Sequence, residues 1–288
     1  MATIATHRPY RTRTWVLFAA QAPVAVILRR GPKRHFRLIV WDLARDTFEH
    51  GQWMKGSLSL CDLSADGAKL IYRASQYRRP IRRAMAARAF DPLAPRLLPR
   101  GVRRPRPHRK LPRYMRGEAA SGTGSVRRLD SDWTAISTPP YFSALAIWPA
   151  YGRWTGGGVF AGREIVLFES ADGMTPIANV EIPPGLNVRR RNDGDWPARS
   201  AHAPAQWRGE TTDCALWAAM TDAGIADLDW VTSAIGTDLL FAADGKLYRL
   251  ANWRDLTASD YIQHATTLID LEPMMFEMIA PPDEAMRW

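Results

Sequence analysis

Residues 63–72, LSADGAKLIY, decide the fold class. The pair Asp66-Gly67 supplies the positive φ that a tight hairpin turn demands, and the apolar run after it has the length of a strand. Related sequences recur where Ser170-Ala171-Asp172-Gly173 follows the apolar run 164–168 and where Ala242-Ala243-Asp244-Gly245 precedes KLYRL. Three copies of [SA]-A-D-G, each beside a β-rich run, predict a repeated sheet unit.

Strand patterns also dominate the N-terminal part of the chain. Apolar runs at 24–28 and 36–43 are joined by Arg-Arg-Gly-Pro-Lys, a hairpin-like connection. The run 15–28 resembles a signal peptide, but Gln21 and Pro23 divide it into pieces of strand length and no small-x-small cleavage site follows. It is also shorter than the roughly 20 residues of a membrane-spanning helix. We therefore expect two buried strands there, and a helix only near 214–223.

The turn units carry a resemblance to a known family. LSADGAKLIY and FAADGKLY resemble the strand units of TolB-like and WD40-type β-propellers, and Trp41-Asp42 resembles the end of such a repeat. The stretch 133–149, with the glycines of 154–158, is similar to uncharacterised bacterial proteins. The resemblance implies an all-β, propeller-like fold of about five small blades, with a β-sandwich as the alternative. Ala65 and Ala243 stand where such units commonly have proline.

The net charge of +10 is concentrated in one segment. Residues 78–128 hold sixteen Lys plus Arg, fifteen of them Arg, against two acidic residues, which leaves the rest of the chain at −4. Seven prolines accompany this charge, and proline together with like-charge repulsion opposes a packed core. We therefore interpret 78–128 as a mobile Arg/Pro-rich insertion between 1–77 and 129–288, two parts of the same β domain.

Three interpretations of the insertion stay open. It is a passive surface loop, a reading-frame artefact of GC-rich codons, or a contact for nucleic acid or another polyanion. Arginine forms bidentate bonds with phosphate and neutralises its charge, which is the chemistry of the third interpretation. The residues of that interpretation are Arg103, Arg104, Arg106, Arg109 and Lys110.

Motifs for catalysis, metal binding and cofactor binding are missing from the sequence. It contains no G-x-S-x-G nucleophile elbow, and Gly156-Gly157-Gly158 lacks the Lys-Ser/Thr of a phosphate loop. The six histidines are isolated, and Asp193 and Asp195 lack the later ligands of a calcium loop. The two cysteines cannot staple a chain of this length, which favours a reducing compartment. We predict no catalytic residue, metal or cofactor.

The function expected from these patterns is non-catalytic. We predict a cytoplasmic binding or scaffold protein that recognises protein partners through aromatic rim residues Tyr141, Trp148 and Trp154, with no membrane partner. The first alternative is polyanion or nucleic-acid association through 78–128. The second is a hydrolase or lyase whose site is assembled from scattered carboxylates and histidines in a central funnel.

Overall fold

A computed structural model describes residues 11–75, 132–150, 156–168, 182–191, 213–233 and 236–288. Four sheets account for nearly half of the described residues, and the prediction of an all-β fold is confirmed. Sheet one contains β1 (Arg13–Phe18), β2 (Val24–Arg30), β3 (His35–Asp42) and β4 (Thr47–Lys55). Sheet two contains β5 (Ser57–Leu63), β6 (Leu70–Ser75), β7 (Asp132–Ser137) and β8 (Ala144–Pro149).

Sheets three and four lie in the second half of the chain. Sheet three contains β9 (Gly158–Ala161), β10 (Glu164–Leu167) and β11 (Asn187–Arg190). Sheet four contains β12 (Leu228–Thr232), β13 (Leu239–Ala243), β14 (Lys246–Leu250) and β15 (Thr266–Asp270). Sheets one, two and four are antiparallel meanders in chain order, whereas β11 pairs with β10 in parallel.

Short helical elements complete the described chain. They are α1 (Cys214–Asp222), α2 (Tyr261–His264) and the 3-10 turns Pro32–Arg34, Trp253–Asp255 and Asp283–Met286. Helix α1 confirms the helix expected near 214–223, and Asp213 caps it by accepting hydrogen bonds from the N–H groups of Ala215 and Leu216. None of the described helices has both the length and the apolar content needed to cross a membrane.

The apolar run 15–28 forms two strands, as expected. Strands β1 and β2 pair with Trp15 opposite Leu28, and Gln21 and Pro23 fall in the loop between them. The connection to β3 is the 3-10 turn Pro32–Arg34, so the hairpin-like assignment there is also confirmed.

Two of the three [SA]-A-D-G copies lie in described turns. Gly67 (φ 78°) lies in the turn from β5 to β6, and Asp244 (φ 46°) with Gly245 (φ 72°) forms the turn from β13 to β14. The first turn joins the first and second strands of its sheet, whereas the second joins the second and third. The turn prediction is confirmed, but the two pairs do not mark the same place in a repeat. Asp172-Gly173 lies outside the described residues.

The core consists of the spaces between successive sheets. Alternate side chains of sheet one pack against sheet two, and the contacts include Leu17, Val26, Leu28, Phe36 and Leu38 with Leu58, Leu70, Tyr72 and Ala74. The intervening side chains of sheet one pack against sheet four, including Val16, Phe18, Ala25, Ile27, Ile39 and Trp41 with Trp230, Leu240 and Leu247. Because side chains alternate between faces along a strand, sheet one is buried on both sides.

The outer sheets are covered differently. The other face of sheet two packs on sheet three, through Cys61, Ile71, Ile136 and Trp148 against Ile165 and Leu167. The other face of sheet four packs on helix α1 and the short helical turns, with Met220 fully buried. The described order of layers is therefore sheet three, two, one, four and then helix.

The chain leaves sheet two at Ser75 and re-enters it at Asp132, which lies directly opposite Ser75 in the β6–β7 pair. The parts before and after the arginine-rich segment therefore contribute neighbouring strands to one sheet. Residues 78–128 themselves lie outside the described part of the chain.

The C-terminal segment, residues 271–288, crosses sheet one and reaches sheet two. Arg29 donates to the carbonyl of Leu271 (2.9 Å), Gln52 donates to that of Ile279 (3.0 Å), and Lys69 donates to that of Arg287 (3.2 Å). Trp288 then packs against the core between sheets two and three. The guanidinium of Arg29 is almost fully buried, so its bond to a backbone carbonyl is strengthened by low local polarity.

We predict that Gly67→Ala destabilises the fold by about 2–3 kcal/mol, because the residue needs a positive φ and a Cβ there would lie 3.0 Å from Cβ of Val24. Gly162→Ala is the matched control, since Gly162 also has a positive φ (61°) but has no atom within 4 Å of the new Cβ. That control should cost about 1 kcal/mol. Urea unfolding measures both, and equal losses would contradict the packing of this turn on β2.

Candidate anion-binding site

A pocket of about 180 Å³ opens between sheets one and two, at the end of the layers where β2 and β6 finish. Sheet one contributes Trp15, Arg30, Arg34 and Phe36, and sheet two contributes Leu58 and Ala74 among its lining residues. We call this cavity the arginine pocket. Its place at the ends of strands follows from the core, because apolar side chains fill the space between the sheets farther along.

Strand alternation places the side chain of Arg30, the last residue of β2, in the pocket. Val26 and Leu28 face sheet two, so Arg30, two residues further on, faces the same way. Trp15 faces sheet two for the same reason, since it lies two residues before Leu17. On sheet two, Leu58 and Ala74 face the pocket with the core side chains.

Arg73 belongs to the other face of sheet two, although it is among the lining residues. Ile71 packs on sheet three, and Arg73 follows it by two residues on the same strand. Its guanidinium donates to the hydroxyl of Ser59 (3.3 Å). The guanidinium groups available to a ligand in the arginine pocket are therefore those of Arg30 and Arg34.

The backbone at Arg34 is held in place, whereas its side chain is exposed. Arg34 has a φ of 60°, and its carbonyl accepts a hydrogen bond from the N–H of Gly56 (3.1 Å), between β4 and β5. Non-glycine residues adopt this left-handed conformation at a cost, which the surrounding structure must offset. The tie to Gly56 fixes the turn that carries Arg34 to the connection between sheets one and two.

Positive charge predominates in the described lining of the arginine pocket, where no residue is acidic. Arg13 lies directly opposite Arg30 in the β1–β2 pair, and like charges in that arrangement repel each other. The carboxylate of Asp229 offsets part of the charge of Arg13. Several arginines elsewhere have carboxylate partners within 3.1 Å, through the pairs Arg11–Asp229, Arg45–Asp42, Arg189–Glu164 and Arg249–Asp46. The guanidinium groups of Arg30 and Arg34 are therefore placed where they could bind an anion.

An aromatic wall adjoins the arginines. The rings of Trp15 and Phe36 lie 6.5 Å apart at an angle of 33°. Phe36 is buried, whereas Trp15 keeps 40% of its surface exposed and lines the pocket. The pocket therefore presents cationic groups and an exposed indole side by side.

The residues that the sequence indicated for binding are not those of the arginine pocket. Arg103, Arg104, Arg106, Arg109 and Lys110 lie outside the described residues, as does Trp154. The sequence pattern places Arg30 in a hairpin connection and gives Arg34 no role, although the run 29–34 contains three arginines and a lysine. That local basic run is the signal that could have located the pocket.

The two remaining rim residues have different environments. Tyr141 is partly exposed, and its hydroxyl donates to Glu49 (3.3 Å). Trp148 is fully buried between sheets two and three. The assignment of Trp148 to a partner-binding rim is wrong, because alternation along β8 directs its indole into the core.

Two buried aspartates connect neighbouring sheets. Asp62 on β5 accepts a hydrogen bond from the N–H of Phe160 on β9 (2.7 Å), and Asp229 on β12 accepts one from Thr14 on β1 (2.8 Å). Each lies at a break in strand register, which turns the side chain toward the next sheet. Burial raises the pKa of Asp62 to about 7 and that of Asp229 to about 6.

These aspartates bear on the alternative of a central catalytic site. Both act as acceptors between sheets, at two different junctions, and in the described ranges no three His, Cys, Asp or Glu residues form a group that could hold a metal. Asp193 and Asp195 lie outside the described residues. Cys61 is buried, and burial raises the pKa of its thiol to about 11, which makes it a poor nucleophile.

We predict that Asp62→Asn weakens the dependence of stability on pH. Because the folded pKa of Asp62 lies above its unfolded value, its contribution is present at acid pH and is lost as the pH rises toward 7. The free energy of unfolding of the wild type should therefore fall, relative to the variant, by roughly 2–3 kcal/mol between pH 5 and pH 8. Urea unfolding at both pH values measures this, and Asp66→Asn, on an exposed turn, serves as the control. Parallel pH profiles for wild type and Asp62→Asn would contradict the assignment.

Comparison with known proteins gives no family for the chain. It matches no family model, no curated protein and no solved structure among those compared. Inference about function therefore starts from the arginine pocket.

Proposed function

We propose that this chain is a non-catalytic binding protein of propeller-like architecture, and that its arginine pocket receives a phosphate-bearing anion. The observation that carries the proposal is the pair of guanidinium groups, Arg30 and Arg34, in a pocket whose described lining contains no acidic residue. Guanidinium groups bind phosphate through charge-assisted, often bidentate hydrogen bonds. Binding of an anion would also relieve the repulsion between Arg13 and Arg30.

The propeller-like arrangement is supported by how the sheets meet. The first strand of sheet one, β1, contacts the first strands of sheets two and four, and β5 contacts β9 of sheet three. Propeller blades meet in this way, with sheets arranged around a common centre. The aspartate bridges from β12 to β1 and from β5 to β9 repeat one device in the same direction around that centre.

The number of blades is part of the proposal. Four sheets lie in the described residues, and no described core cluster joins sheet three to sheet four. About five blades would require one more sheet between them. A β-sandwich packs two sheets over one core, so the two-sided burial of sheets one and two favours the propeller-like arrangement.

The described lining of the pocket supports binding rather than catalysis. It contains no histidine, carboxylate or lysine that could activate a nucleophile. The residues that line the pocket therefore hold and orient an anion without a group to transfer its protons.

We predict that Arg30→Gln/Arg34→Gln weakens the binding of inorganic pyrophosphate by tenfold or more, because each lost charge-assisted hydrogen bond is worth on the order of 1.5–3 kcal/mol. Isothermal titration calorimetry at low ionic strength measures the affinity of the full chain. The control is Arg45→Gln/Arg254→Gln, which removes the same charge from two exposed arginines outside the pocket.

The control matters because all of these variants keep the arginines of 78–128. A loss confined to the pocket variant assigns binding to the pocket. Equal losses in both variants, or no binding by the wild type, would contradict the proposed function. Unfolding curves in urea should show that both double variants remain folded.

A second candidate function, recognition of a protein partner, is favoured by apolar side chains on the C-terminal segment. Met275 and Met278 are 83% and 89% exposed, and Phe276 is 60% exposed. Apolar groups clustered on a surface are typical of protein contacts. Phe276 also contacts the rings of His35 (5.7 Å) and Trp53 (6.0 Å), so the segment is held against sheet one.

We predict that proteins which co-purify with the wild type are lost from Met275→Ser/Met278→Ser. The expected cause is the loss of apolar area at the contact, since the two side chains add little to the fold itself. Met286→Ser is the matched control, because Met286 is also exposed but lies eight residues further along the chain. Quantitative co-purification measures the effect, and equal recovery with all three proteins would exclude this surface.

A further inference from the structure

The exposed indole of Trp15 is unexpected on a buried strand. Its neighbours Thr14 and Val16 are buried, as is the phenyl ring of Phe36 against which it lies. An exposed tryptophan leaves a large apolar surface in water, which a stacked ligand would cover. Trp15 therefore offers a flat surface at the edge of the arginine pocket, supported by Phe36 from the core.

We propose that the arginine pocket binds one nucleotide unit, with the phosphate between Arg30 and Arg34 and the base stacked on Trp15. This inference rests on the proposed binding of a phosphate-bearing anion and adds the class of ligand. Every nucleobase has a flat π-face, and aromatic side chains beside basic groups are the usual means of binding single nucleotides of an unpaired strand.

The size of the pocket agrees with a partly enclosed nucleotide. A cavity of about 180 Å³ is smaller than the 300 Å³ or more that typically encloses a whole small ligand. The pocket accommodates the phosphate, and the rest of the ligand lies across its open side, where Trp15 is exposed. An anion without a flat group, such as pyrophosphate, would leave that indole uncovered.

The same nucleotide chemistry has two sources. A free mononucleotide presents one base and one phosphate, and a single-stranded nucleic acid presents them in series. The sequence that follows Ser75, a residue of the pocket lining, carries the concentrated positive charge of 78–128. Both sources are compared in the experiment, because the contacts at the pocket are common to them.

The test compares adenosine 5′-monophosphate with ribose 5-phosphate, which has the same sugar and phosphate but an anomeric hydroxyl in place of the base. Calorimetry on the full wild-type chain should show the nucleotide binding more tightly, by roughly 5- to 100-fold. In Trp15→Leu this ratio should fall to about 1, while the affinity for ribose 5-phosphate stays within about twofold. Trp15→Phe should retain most of the ratio, because phenylalanine also stacks.

Trp217→Leu is the matched control. Trp217 lies on helix α1, outside the pocket, and is 39% exposed, against 40% for Trp15. The control should leave the ratio of the two affinities unchanged. An equal fall of the ratio in Trp217→Leu and Trp15→Leu would overturn the assignment of the base to Trp15.

The outcomes separate this inference from the proposed function. If both ligands bind the wild type equally, the pocket binds phosphate and the nucleotide inference is wrong. If neither binds, the proposed function fails as well. A five-nucleotide oligodeoxyadenylate that binds more than tenfold tighter than the monophosphate, and loses affinity in Trp15→Leu, identifies single-stranded nucleic acid as the source. Equal affinity for the two identifies the free nucleotide.

Discussion

Sheet one depends on having a neighbour on each side. Residues 25–29 of β2 are all buried, so neither face of this strand can turn to water. Alternation sends Val26 and Leu28 toward sheet two, and Ala25 and Ile27 toward sheet four. Removing either neighbouring sheet would expose a continuous apolar face of sheet one to water, and exposure of apolar surface costs free energy. The layer order of the molecule follows from this two-sided burial.

Because both faces of β2 are buried, its charged side chains lie at the end of the strand. Arg29 and Arg30 are adjacent on β2 and meet different needs there. Arg29 faces sheet four and is satisfied by the carbonyls of Leu271 and Glu272, whereas Arg30 faces sheet two and lines the pocket. The C-terminal segment therefore covers one end of the interface between sheets one and four and accepts the hydrogen bonds of Arg29. The other interface stays open, and its arginines remain available to an external anion.

The sequence was sufficient for local structure and insufficient for how the sheets meet. Strands β1 to β3, the turns at Gly67 and Gly245 and helix α1 follow from patterns within a few residues. The pocket does not, because Trp15 and Ala74 become neighbours only when sheets one and two pack together. Trp148 shows the same limit: the sequence placed it at a strand end near a rim, and packing on sheet three buries it.

Arg13 and Arg30 lie opposite each other on β1 and β2, where like charges destabilise the pair. Asp229 offsets part of the charge of Arg13, and an anion in the pocket would offset that of Arg30. Long arginine side chains can spread apart into solvent, which lowers the repulsion. A phosphate bound between them would carry the opposite charge and accept several hydrogen bonds from Arg30, at the end of β2, and from Arg34, on the turn that follows it. Because sheet one is buried on both faces, its charged side chains lie together at one end of the sheet. An anionic ligand bound there would offset their charge.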